Sequence, residues 1–228
     1  LSLILALDAA SSGVSAALFE GEAPLAARRL DEDRAGEGLA PLVAEIFAEA
    51  GRKPQELALI ATTTGPGSFV GARIGPAFAR GLALATGARA LGISVLEALA
   101  EGAGEAGPLL VALDAKRDAL YAQAFQAGAP LDEAREIPLT QAAQAAPEGD
   151  FALTGSGAAL WLEAAPEAAA RARRLCASFD AVKPEALARI ALRRAAAGEA
   201  APPSPLYLRP PDAKIPAQIP APSPADAV

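Results

Sequence analysis

Apolar positions along the chain switch between unbroken runs and helical spacing, and that switching predicts a mixed α/β protein. Leu3 to Leu7 is a continuous apolar run that stops at Asp8. Ala9, Ala10, Ser11, Ser12 and Gly13 supply a turn, and Val14 to Phe19 resumes the apolar character, so the opening reads as a hairpin with a buried first strand. Leu25 to Leu30 follows as a third strand after the turn at Gly21 to Pro24. Leu39, Leu42, Val43 and Ile46 fall at helical spacing within Leu39 to Ala50, and Gly51 supplies a residue suited to ending that helix. Leu57 to Thr62 is again a strand.

That strand runs into TTTGPGSFVGARIG, Thr62 to Gly75, where four glycines and a proline join a strand to an alanine-rich helix. Ser68 is placed to cap the helix, whose Ile74, Phe78 and Leu82 recur every four residues. Pro76 removes a backbone donor beyond the first turn, so the helix either kinks there or begins later than Ser68. A short strand at Ala90 to Ile93 and a helix from Ser94 to Glu101 lead to a loop, Gly102 to Gly107.

The opening pattern then returns. LALDAASSGVSAALF from Leu5 and VALDAKRDALYAQAF from Val111 both run strand, Asp, polar turn, strand. A duplicated unit of this kind is what an actin-like fold would show, with two α/β halves facing a cleft; two hairpins alike by chance is the alternative. Residues 126–150 read as loop and weak helix. Phe151 to Thr154 is a strand ending at Gly155-Ser156-Gly157, and Pro184 to Ala197 is a helix with proline at its start. The expected organisation is a first α/β subdomain over 1–103, a second over 104–214, both with mixed sheets, and a proline-rich tail over 215–228 that is extended or disordered.

Composition narrows the chemistry. Hydrophobic residues make up 52% of the 228 and charged residues 21%, enough for a core of ordinary size. The net charge of −7 leaves no basic footprint for nucleic acid or an anionic membrane, so any work on RNA would need a partner to hold it. Cys176 is the only cysteine, which excludes an intramolecular disulfide and a thiolate zinc cluster. The apolar start is too short to span a bilayer and lacks a basic flank, so a strand is expected there, with no signal peptide, and a cytoplasmic location. There is no histidine, which excludes Ser–His–Asp and Cys–His catalysis and histidine-held metals.

The glycine-rich run fails the phosphate-loop test, because no lysine lies between Thr62 and Gly75. It also fails the dinucleotide fingerprint: Gly65 and Gly67 have the spacing, but Val70 stands where the third glycine belongs. Two readings stay open, a backbone cradle for a ligand, with Asp8, Ser11, Gly65 and Gly67 as its candidates, and a tight turn that lets strand and helix pack. Asp8 and Asp114 likewise fit either a base and metal-ligand pair across a cleft, as in an actin-like small-molecule kinase, or structural caps. Arg73 and Arg80 share a helix face and could meet an acidic partner or simply water. Leu39, Val43, Ile46, Phe69 and Phe78 are core residues by default, yet both helices are apolar or small around more than one face, which points to a partner.

The chain resembles the TsaB family of tRNA threonylcarbamoyladenosine biosynthesis proteins. The resemblance rests on LILALDAAS, TTTGPGSFVGARIG with GLALATGARALGISVLEALA, VALDAKRDALYAQAF and PLYLRPPDAK in that order. It is close over residues 1–125, weak over 126–200, and resumes at Tyr207 to Lys214. It implies the duplicated actin-like (ASKHA) fold and a non-catalytic scaffold that pairs with its paralogue TsaD and helps recruit the ATPase TsaE. It also implies contact with tRNA only through partners, ATP or ADP only through partner subunits, no metal, and a homodimer as an alternative state. TsaD holds its metal through paired histidines, which this chain lacks. The resemblance places the docking surface on the first two helices, at Leu39, Leu42, Val43, Ile46, Phe69, Arg73, Ile74 and Phe78. The chain departs from the family pattern at Ala9 and Ala10, where Thr and Ser are usual, at Ala35, where His is usual, and at Pro76.

Overall fold

The computed structural model describes residues 2–11, 13–30, 35–176, 181–199 and 202–209. The predicted hairpin forms from β1 (Leu3–Asp8) and β2 (Val14–Glu20), and β3 (Ala23–Leu30) adds to its outer edge. β4 (Leu57–Thr63) and β5 (Arg89–Ile93) join parallel to β1, giving the order β3-β2-β1-β4-β5. Every residue of β1 is buried, because the strand is covered on both faces: Ile4 and Ala6 point to one hydrophobic cluster, Leu3, Leu5 and Leu7 to another. A strand covered on both sides has no solvent face to make polar, hence the unbroken apolar run.

The second sheet repeats the first. β6 (Pro108–Lys116) and β7 (Ala119–Gln126) form its hairpin, with β8 (Ala129–Pro130) and β9 (Arg135–Pro138) pairing antiparallel to β7. β10 (Phe151–Thr154) and β11 (Ala172–Arg174) add in parallel, giving β11-β10-β6-β7-β8. Hairpin, antiparallel edge and two parallel strands therefore occur twice in the same connectivity. This is the duplicated actin-like α/β fold, and the Leu5 and Val111 segments are its equivalent hairpins.

Helices complete five layers. α1 (Ala35–Ala50) and α2 (Gly71–Thr86) cover the outer face of the first sheet, α1 against β2 and β3, α2 against β4 and β5. α3 (Val95–Ala103) and α6 (Pro184–Ala196) form the middle layer, α6 packing on β1 and β4 while α3 packs on β6. α4 (Ala158–Ala164), α5 (Pro166–Ala169) and a 3-10 helix at Leu139–Ala145 cover the outer face of the second sheet. There Trp161, with no exposed surface, meets Phe151 edge to face at 5.6 Å and donates its indole N–H to the Ala142 carbonyl at 2.9 Å. The stretch 126–150, expected as loop and weak helix, thus supplies two short strands and this helical turn.

α1 begins four residues before the expected Leu39. It ends as expected: the Arg52 N–H reaches the Phe47 carbonyl and the Gly51 N–H that of Ala48, with Gly51 left-handed at φ 62°. α2 starts at Gly71, later than Ser68, although the Ser68 hydroxyl still accepts the Gly71 N–H at 3.1 Å. The expected tail, Ile215 to Val228, lies outside the described residues.

Ion pairs tie the two middle helices together. Glu97 takes a two-point contact from Arg194 at 2.7 and 2.9 Å, and Glu101 receives Arg189 and Arg193 at 2.9 and 2.7 Å. The hydrogen bond from Arg193 holds the Glu101 carboxyl below the usual carboxylate range, while burial pushes Glu97 above it. The signs oppose. A lowered folded-state value stabilises the fold at neutral pH and is lost as pH falls through that value; a raised one favours the fold at acid pH and loses that effect as pH rises. Because the arginines on Glu101 are partly exposed, the pair contributes about 1 kcal/mol or less. Urea unfolding of wild type and Glu101→Gln is expected to differ by that amount at pH 7. The difference should shrink below about pH 4.3 and vanish once Glu101 is protonated in the folded state.

Candidate functional site

Asp8, at the end of β1, is 1% exposed. One carboxyl oxygen accepts the Thr63 hydroxyl at 2.7 Å and the backbone N–H groups of Ala10 and Ser11 at 3.1 and 3.2 Å; the other accepts the Ser11 hydroxyl. The Thr63 oxygen in turn accepts the Ala9 and Ala10 N–H groups at 3.3 and 3.4 Å. Both carboxyl oxygens hold the turn and its neighbouring strand, so Asp8 acts as a cap on the hairpin. Asp114, its counterpart at the end of β6, is partly exposed and pairs with Lys116 at 2.6 Å while accepting that residue's N–H at 2.8 Å. The Lys116 contacts hold its carboxyl below the usual range. Of the two readings open for these aspartates, the contacts support the structural one: each holds the turn of its own hairpin.

The glycine-rich loop closes over the same turn. The Ser68 N–H donates to the Ala10 carbonyl at 2.8 Å. A β-carbon on Gly67 would stand 2.1 Å from that oxygen, and one on Gly71 would stand 1.6 Å from the Ala9 carbonyl oxygen. These glycines admit backbone against backbone, so loop and turn are in direct contact at Gly67 and Gly71. Asp8, Ser11 and Gly67 do come together, but as parts of one packed junction. Gly65 faces elsewhere, toward the Leu206 carbonyl. The second half repeats the device, since a β-carbon on Gly155 would meet the Ala112 carbonyl oxygen at 2.2 Å.

The proposed docking residues divide. Leu39, Leu42, Val43 and Ile46 are 0–6% exposed and sit in the cluster between α1 and the first sheet, so they present no surface to a partner. Their helical spacing marks the stripe that faces β2 and β3. Ile74 and Phe78 are half-buried at the edge of the same cluster. Pro76, one of the departures from the family pattern, is buried inside α2. Phe69 is 72% exposed, and the Arg73 guanidinium lies over its ring, 3.3 Å from the centroid, and 4.8 Å from that of Tyr207.

Two exposed apolar residues of this surface, Val70 and Leu84, were not singled out from sequence. Val70 is 55% and Leu84 90% exposed, and Gly81, with nothing within 4 Å of its would-be β-carbon, lies between exposed Ala77 and Ala85. On α1, Ala40, Pro41, Ala44 and Ala48 are also exposed. The available signal was Leu84, which falls off the Ile74–Phe78–Leu82 stripe and so points away from the sheet. Among the described residues no group of three metal-ligating side chains is close enough to hold an ion, and no helix is long and apolar enough to cross a membrane.

Comparison with known proteins gives these features a context. The family model described as TsaD, tRNA N6-adenosine threonylcarbamoyltransferase, matches residues 32–216. The tRNA threonylcarbamoyladenosine biosynthesis protein TsaB of Escherichia coli is 33% identical over 126 residues, 54% of this chain and 54% of that protein. The chain thus matches about half the length of the curated TsaB relatives. The structure of YeaZ from Pseudomonas aeruginosa superposes with a TM-score of 0.78 at 27% identity, covering 91% of this chain and all of that one. Component A of the Acidaminococcus fermentans (R)-2-hydroxyglutaryl-CoA dehydratase shares the fold alone, with a TM-score of 0.51 at 11% identity, over 86% of this chain and 100% of that one. The chain belongs to the TsaD family and, within it, is similar to TsaB proteins.

Proposed function

We propose that this chain serves the formation of threonylcarbamoyladenosine in tRNA as a non-catalytic subunit that docks on TsaD through the outer face of α2 and the adjoining part of α1. The observation that carries this reading is the exposure of Phe69 and Val70 just before α2 and of Leu84 near its end, with the small residues Ala77, Gly81 and Ala85 and the charged Arg80 also exposed on the helix. Apolar side chains left open at that density mark an interaction surface. The names of the relatives support the pathway; TsaD as the partner is what the family resemblance implies. Chemistry agrees with the accessory role, because Asp8 is spent as a cap and the chain has no histidine for the metal site that the resemblance attributes to TsaD. A net charge of −7 also favours contact with tRNA through partners over direct contact. Recruitment of TsaE, a cytoplasmic location, and self-pairing of free chains through the same face belong to this proposal.

Size-exclusion chromatography tests it. The chain mixed with TsaD at micromolar concentration is expected to elute as a single larger species; separate elution of the two proteins would contradict the reading.

A further inference from the structure

The segment after α6 crosses from one half of the molecule to the other at the ends of the parallel strands. Pro203 is buried against Gly92 on β5, where an added β-carbon would come within 3.0 Å of the proline Cα. The Leu206 N–H donates to the Thr64 carbonyl at 2.8 Å, just past the end of β4. Leu208 packs against the central cluster between the sheets. Arg209 then reaches the second half, where its guanidinium makes a two-point contact with Glu136 on β9 at 2.7 to 3.0 Å and donates to the Ala115 carbonyl on β6 at 3.2 Å.

Residues 203–209 thus span the carboxyl ends of β4, β5 and β6. In open α/β folds the crevice outside the carboxyl ends of the strands is where ligands bind. We infer that residues 203–209 are a built-in occupant of the cleft between the two halves, a strap that holds the halves in one arrangement and denies the cleft to a nucleotide. Every anchor is on a different element: a proline on β5, a backbone hydrogen bond beyond β4, an arginine on β6 and β9. Such a set resists relative motion of the halves more than any one contact could, because opening must break all of them together. The inference stands apart from docking on α2 and does not depend on it.

Hydrogen exchange on the full-length chain tests the strap. In the double variant Leu206→Pro/Arg209→Ala, which removes the donor to Thr64 and the contacts to Glu136 and Ala115, exchange in segments 64–67 and 115–118 is expected to rise about tenfold while circular dichroism stays that of wild type. Should that variant not fold, Glu136→Ala removes one anchor, and about a threefold rise confined to 115–118 is expected. Exchange equal to wild type in both segments would overturn the inference. So would protection of 64–67 in the wild-type chain on adding magnesium–ATP, since the cleft would then admit the nucleotide with the strap in place.

Discussion

Gly71→Ala is expected to destabilise the chain by at least about 3 kcal/mol, at or above the upper end of ordinary overpacking. The added β-carbon would lie 1.6 Å from the Ala9 carbonyl oxygen and 2.6 Å from the Ala9 carbonyl carbon. Both are backbone atoms of the β1–β2 turn, so no side chain can rotate away, and the start of α2 must lift off the sheet. Helix propensity works in the other direction, since alanine is preferred to glycine by about 1 kcal/mol in a helix. The steric term should win by a wide margin. Gly81→Ala is the control, because nothing lies within 4 Å of the new atom, and it is expected to be neutral or stabilising by up to about 1 kcal/mol. Chemical denaturation of the two variants measures both; a Gly71→Ala variant as stable as Gly81→Ala would mean that the loop does not rest on the turn.

Asp8→Ala is expected to cost about 3 kcal/mol or more. The substitution leaves the N–H groups of Ala10 and Ser11 and the hydroxyls of Ser11 and Thr63 without the acceptor they share. An unsatisfied buried donor costs about 1–3 kcal/mol, and part of that is recovered where water enters beside partly exposed Ser11. Thermal unfolding reads the loss. The same variant separates the structural from the catalytic account of this aspartate: magnesium-dependent ATP turnover by the wild-type chain, abolished in a variant that still folds, would contradict the cap.

What sequence revealed and concealed follows from physical range. β1, β2, β4 and the duplicated hairpin were legible because full burial writes itself into consecutive apolar residues. The glycines from Gly65 to Gly75 announced a close backbone approach, but glycine reports only that something comes near. That the Ala9–Ala10 backbone approaches Gly67 and Gly71, while Leu206 approaches Gly65, depends on how the segments meet in space. Leu39, Leu42, Val43 and Ile46 were visible as one helical stripe, and a stripe does not say whether it covers a sheet of its own chain or a partner. β8 and β9 escaped because pairing with β7 creates them, with little pattern of their own. The strap at 203–209 escaped for the same reason, since proline-rich sequence without periodicity acquires its position only from Thr64, Gly92 and Glu136.

The most direct test of the docking face is a calorimetric titration of TsaD with the wild-type chain, Leu84→Asp and Val43→Asp, each paired with a melting curve. Leu84 is exposed, so its aspartate should leave melting unchanged while weakening binding about tenfold or more, as loss of a central apolar anchor does. Val43 is 6% exposed in the core, so its aspartate should lower the melting temperature sharply through an unpaired buried charge. Wild-type affinity in a stably folded Leu84→Asp chain would contradict the account.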